Sequence, residues 1–587
     1  MKAHRRNRGD GEVEGRVANL DDVEGAKTRP QRRLQREATN LAAADAGLLS
    51  PDGPLIVVRD QQPRYGGKPQ RGGELRVPRP AMSVDDFNPA AFSMDPQVAA
   101  SYLDPLLRAD PRSLAPTPWL AESWEVAAGG EAVTYRLRDD VRWHDGTSLT
   151  AADVAFSLEV YRDDPVSAVA NFFSRMQTVE AVDDRTVEVS LSANDPTWLF
   201  NASTLPIVQR DQYEAFWTSR PAGERTLAGF DWRASPPVGS GPWRIENWNG
   251  NSVDFSAVAD HPLAAPWFAR LVIDWTQNRG ERLEGWRRGE ADIIWPLRLE
   301  EVNRLGDRPA RVYAADAASV MFAAFNFANP LSPIAGVFDD LRVRRALSLA
   351  LDRAAYVESV FGGFANATAV GTVAQPWAHD GDLASPRRDP AQAVALLNEA
   401  GWFDYNGDGF LERADGFPLA LTLIHSAEAR PELARVLARV QLDLEAIGVD
   451  FVVEGLSPDV FRERWSTAHD YDLIAYAFDL FPGFTDIDLY GSRWDVRRNV
   501  FGWNPGGYSN QTVDEAINAY LGSDDLDAQR GALFDLQRAT DEDLFGLWLG
   551  FPQDLIAVSA DVLGFQPDMG WQTAATWALW RESSMET

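Results

Sequence analysis

His144, Asp145 and Asp153 sit close together in "RWHDGTSLTAADVAF", and an imidazole beside two carboxylates is a combination that can move protons. A second cluster, "DYNGDGFLERAD" at 404–415, carries acids at the spacing of a calcium loop. Asp404, Asn406 and Asp408 fill its first three odd positions, with Gly409 at the sharp turn and the Phe410 carbonyl next. Glu412 takes position nine, and Asp415 stands at twelve, where a longer glutamate reaches around an ion more easily. The run is flanked by a helix pattern ending near Gly401 and an apolar strand, "PLALTLI", rather than by two helices. Its expected occupant is a structural Ca2+, against the plainer reading of an Asn-Gly/Asp-Gly turn. No cofactor is required by any residue pattern in the chain.

Absent residue types remove much other chemistry. The chain has no cysteine, which excludes thiol nucleophiles, iron–sulfur clusters, disulfides and a lipid-modified cysteine anchor. Lysine occurs only at Lys2, Lys27 and Lys68, so the body beyond has neither a P-loop lysine nor a Schiff-base lysine. Arginine cannot replace them, because it stays protonated and forms no imine. The six histidines form no HExxH pair, and Gly239-Ser240-Gly241 lacks the spacing of a nucleophile elbow. A formal charge of -31 repels phosphates, so no nucleic-acid partner is expected. The pattern favours binding over covalent catalysis.

The elements that must position these groups read as mixed α and β. In 131–162, Val133, Tyr135 and Leu137 alternate as a half-buried strand. Thr150 then caps a helix with Asp153 three residues on. "RTVEVSL" (185–191) and the strand after "PPVGSGP" continue the β pattern. Residues 336–363 form a helical stripe that breaks near Asp352 and ends at Gly362-Gly363. Pro431 opens another helix, with Leu433, Val436, Leu437, Val440 and Leu444 on one face. At 587 residues the chain exceeds one core. Residues 1–70 hold every lysine and, within 1–50, ten basic and eight acidic residues; they read as a disordered leader in which no secretory signal is visible.

Several separated stretches together resemble the family 5 extracellular solute-binding proteins, the peptide/nickel-type receptors of ABC importers. They are "GGELRV", "DDFNPAAF", "PWLAESWEV", "RLRDDVRWHDGTSLTAADVAFSL", "PPVGSGPWRIENW", "GEADI", "FDDLRVRRALSLALDR", "NPGGYSNQTVDEAI" and "QRATDEDLFGLWL", in the family's order across about 70–565. The resemblance implies an α/β, two-lobe, periplasmic-binding-protein-like fold of the class II type. It has three subdomains, with a ligand cleft between lobes joined by two crossing strands. Its implied parts are 70–107, 237–312 and 541–587 for the core of the first lobe, 108–236 for an inserted subdomain, and 313–540 for the second lobe. His144, Asp145 and Asp153 then belong to scaffold, and no catalytic residue is expected.

The resemblance also implies where a solute would sit. Phe92 and Ser93 follow the Phe87-Asn88-Pro89 turn, where similar proteins border their ligand. Asp479, and second to it Asp486, match the aspartate that holds a peptide ammonium, although no tryptophan precedes them. Arg430 lies near the place where a relative binds a peptide carboxylate. The 21 tryptophans, Trp402 and Trp494 among them, permit an oligosaccharide instead, although core packing is the usual fate of an indole. The implied protein is an exported monomer, periplasmic or at the cell surface. It passes a peptide or oligosaccharide to an ABC permease.

Overall fold

Two near-continuous apolar runs, Ser319–Phe325 and Gly546–Ser559, form the centre of the molecule. Strands covered on both faces carry such runs, because neither side meets water. In this computed structural model, residues 55–58, 69–79, 87–91, 95–110, 113–276, 278–316, 319–367, 376–383, 387–479, 487–499, 502–565 and 576–582 are described. The long strand Gly546–Ser559 lies antiparallel to Ser319–Phe325 along its first half and to Ala310–Asp316 along its second. The sheet runs in the order Leu55–Val58, Ala310–Asp316, Gly546–Ser559, Ser319–Phe325, Leu473–Asp479, Ala420–Ser426, Asp450–Leu456. The chain therefore passes between its two halves twice, once between the end of the strand Ala310–Asp316 and the start of Ser319–Phe325, and once along 550–553. Gly550, at φ +139°, pairs with Met321 at a register shift in the ladder with Ser319–Phe325, beside the second crossing. A glycine is suited to that backbone.

On one side, two four-stranded sheets share a core. The first orders Trp243–Asn249, Ser252–Ala257, Arg270–Trp275 and Glu74–Arg79; the second orders Ala121–Val126, Ala132–Leu137, Thr186–Leu191 and Met176–Asp183. On the other side, the helices Leu341–Ala350, Arg353–Phe361, Pro390–Glu399 and Pro431–Glu445 cover strands 420–426, 450–456 and 473–479. The five residues expected on the face of the helix from Pro431 are all buried. The break near Asp352 is a true helix start, with the Asp352 carboxylate accepting from the Ala355 amide at 3.0 Å. Gly362 ends that helix in the left-handed region at φ +58°.

Two assignments shift. The reading of 1–70 as leader is corrected at its end. Leu55–Val58 forms a parallel strand on Ala310–Tyr313, and Pro69–Gln70 pairs with Arg581–Glu582. Second, both crossings come later than the boundaries at 313 and 541, because Ala310–Asp316 and the long strand each extend the ladder past those points.

Candidate functional site

The cluster at 144–153 is scaffold. Its strand, turn and helix form as the pattern dictates, with the Thr150 amide donating to Asp153 Oδ2 at 2.8 Å. The other Asp153 oxygen accepts from the Arg210 amide at 2.9 Å, and Asp145 accepts from Thr147 and from Gln209 Nε2. His144 Nε2 meets the Gly241 carbonyl at 2.8 Å, and burial pulls this imidazole down to about 4. The ring is therefore neutral at pH 7 and serves as a strut. Ser240 is also spoken for: it is buried, and its hydroxyl accepts from the Asp104 amide at 3.3 Å. Its glycine neighbours are dictated by packing, since a Cβ on Gly239 would lie 1.8 Å from the Tyr102 carbonyl oxygen.

The two halves meet along a seam beyond the crossing strands. Trp377 stacks on Phe200 at 5.4 Å, and its amide donates to the Ser113 carbonyl at 3.0 Å. Asn194 Nδ2 donates to the Leu521 and Ser523 carbonyls at 3.0 and 2.7 Å. The Gly129 amide donates to Asp524 at 2.7 Å.

In the second half, several polar groups are buried without a partner among the described residues. Ser319 Oγ is one, opposite Asp479 in the register of adjacent strands. The Tyr476 hydroxyl and Trp465 Nε1 are two more, within an aromatic group that includes Phe322 and Phe461. Asp488 is driven up to about 6 by desolvation, opposed by the nearby Arg493. In the first half, Arg108 packs against two indoles that also meet each other at 6.4 Å, its guanidinium 4.7 Å from the Trp119 ring centre and 5.6 Å from that of Trp577. Burial lowers the Arg108 pKa and the charge of Asp104 opposes this.

The residues named from sequence fare unevenly. Phe92, Ser93 and Asp486 lie outside the described residues, and Asp479 ends the strand Leu473–Asp479. Arg430 is exposed at the start of the helix from Pro431. Trp402 is core, 5% exposed, which removes it as a stacking face. Trp494 is half-buried against the core that includes Trp377, with the Arg493 guanidinium 4.0 Å from its ring centre. Arg108, Trp119, Trp577, Tyr476 and Asp488 were not singled out by sequence.

The loop 404–415 adopts the compact turn that its spacing requires. Asp404 accepts from the amides of Gly407, Asp408 and Gly409, and Asp408 from that of Phe410. Asn406 Oδ1 accepts from the Asp408 amide at 2.8 Å. Carboxylate oxygens of Asp404, Asp408 and Glu412 come within 4.8 Å of one another. Asp415 is absent from that group; it forks with Arg413 at 2.9 and 3.2 Å. Three of the four acids thus fit a cation, and the fourth is held elsewhere.

The model of bacterial extracellular solute-binding proteins, family 5, matches residues 115–495. Among characterised proteins, the di/tripeptide-binding protein 2 of Pseudomonas aeruginosa is 26% identical over 508 residues, covering 82% of this chain and 90% of that one. HbpA2 of Haemophilus parasuis shares the fold at TM-score 0.71 and 20% identity, over 87% of this chain and 100% of that chain. NikZ of Campylobacter jejuni, solved with Ni(L-His), does so at TM-score 0.65 and 23% identity, over 88% of this chain and 100% of that chain. The match over well more than half its length, on a two-lobe fold with paired crossing strands, means that this chain belongs to the bacterial extracellular solute-binding proteins of family 5.

Proposed function

We propose that this chain is the periplasmic or cell-surface receptor of an ABC importer, a monomer that takes a peptide-like solute between its lobes and hands it unchanged to the permease. The observation that carries this reading is the pairing of a two-strand crossing with a direct seam on the far side of the cleft. A hinge on one edge and a closable seam on the other are what capture requires. A guest then shifts the population towards the closed form by making contacts that the open form lacks. The name of the Pseudomonas relative favours a peptide. An oligosaccharide is the second reading, favoured by Trp503, which is 47% exposed and offers a flat face beside Trp465. A carboxylate-dependent hydrolase has little behind it, since His144, Asp145 and Asp153 are tied into scaffold.

The test is to denature the purified protein, identify any released small molecule by mass spectrometry, and measure its rebinding by calorimetry. Recovery of an intact peptide that rebinds supports the reading. A recovered sugar moves it to the second, and conversion of the guest during incubation ends both. In loop 404–415, Asp404, Asp408 and Glu412 would hold a structural calcium ion, which cross-links the turn and plays no part in capture.

A further inference from the structure

Strands Glu74–Arg79 and Arg270–Trp275 run parallel, and Arg79 and Trp275 at their carboxyl ends are register partners. The Thr276 amide donates to the Arg79 carbonyl at 3.2 Å, and the helix Arg279–Arg287 follows at once. The carboxyl ends of parallel strands are where open α/β sheets take ligands, and a helix N-terminus beside them favours negative charge. In the first turn of that helix Arg282 is buried, 4% exposed. Among the described residues no hydrogen bond or ion pair reaches its guanidinium, and its Nε is buried without an acceptor. The Trp275 Nε1, at the same strand ends, is also buried without one among the described residues.

The surroundings of Arg282 do not compensate its charge. Burial, then the charges of Arg279 and Arg79, hold its pKa below the usual arginine value, and Glu301 opposes them. Yet Glu301 is committed elsewhere, accepting from Arg279 Nε at 2.7 Å, from Arg279 Nη2, and from the Arg298 amide at 2.8 Å. Arg79 is held by Asp95 at 3.2 Å. A guanidinium cannot shed its proton to escape burial, and a buried charge left alone is strongly destabilising. Glu432, on the helix from Pro431 in the second half, is close enough for its charge to act on Arg279. The corner therefore lies within electrostatic reach of the opposite half.

We propose that Arg282 is the centre of an anion site at these strand ends, taking a single carboxylate whose paired oxygens match the guanidinium fork. With Arg79 set against Asp95 and Arg279 against Glu301, Arg282 is the charge left over, and one carboxylate neutralises it. The carboxylate belongs either to the solute or to a small free anion that resides in the protein, so the site does not depend on the peptide reading.

The probe is sodium formate, the smallest carboxylate, compared with sodium p-toluenesulfonate at equal ionic strength. Formate raises the wild-type melting temperature by about 1–3 °C over the bulky anion, as a ligand of the folded state does. Arg282→Met loses that difference. Arg282→Lys keeps the charge without the fork and retains a smaller response, which serves as the second variant if Arg282→Met folds poorly. A calorimetric arm identifies the source of the carboxylate, using tripeptides of neutral residues with free C-terminal acids or with amides. Displacement of formate by the acids alone assigns the site to the solute; binding of both pools alongside formate assigns it to a resident ion. Equal melting of the wild type in the two salts overturns the site, as does a formate response of the same size in Arg282→Met. The melting comparison uses no solute, so its failure leaves the importer receptor standing.

Discussion

Single residues here are readable as physics once their neighbours are known. His144 looked like chemistry because an imidazole stood beside two acids; its surroundings make it a buried neutral strut. The group's folded pKa, about 4, lies below the ordinary 6.5, so the unfolded chain binds more protons between those values. Stability from this residue is complete above pH 6.5 and drains away as pH falls towards 4, by up to about 3 kcal/mol at the limit. Urea unfolding of wild type and His144→Gln at steps from pH 7.5 to 4.5 checks the sign. The wild type loses stability over that range more steeply than the variant, and parallel curves contradict the assignment. Arg108 shows the opposite case. Its partners, Trp119 and Trp577, are one close and one very distant in sequence. No local spacing could have joined them.

Elements were legible wherever their signals are local. The Thr150 cap, the Asp352 restart, the Gly362 stop and the buried stripe from Leu433 to Leu444 all follow from neighbours within a few turns. Leu55–Val58 was missed because a short apolar run declares nothing about a partner strand at 310–313. The loop 404–415 lies between these cases, since spacing foretold its turn but not that Arg413 would claim Asp415. With three carboxylates converging, millimolar calcium raises the melting temperature by a few degrees over EDTA. The rise is lost in Asp404→Asn/Asp408→Asn, and identical melting curves for the wild type in the two buffers remove the ion from the account.

At the scale of the molecule, closure depends on a handful of contacts far from the crossing strands. Asn194 spans the seam, its Nδ2 donating to the carbonyls of Leu521 and Ser523. Asn194→Ala therefore weakens the closed state, raising the solute Kd roughly 5- to 30-fold, the worth of one or two hydrogen bonds. Small-angle scattering with and without solute then shows a smaller contraction at fixed concentration; unchanged affinity would place the seam outside the closing equilibrium. The family assignment was legible because it rests on many loose motifs in order, each tied to its own turn or cap. The guest's contacts were not, because they join residues that only the finished topology brings face to face.

The strand Gly546–Ser559 also bears on how the protein comes apart. Its ladder serves both halves, so melting either one strips a neighbour from the other and bares an edge of unpaired amides and carbonyls. Separate cores would suggest two independent transitions; a common backbone ties them into one. A single nick between Gly550 and Gln553 would uncouple them.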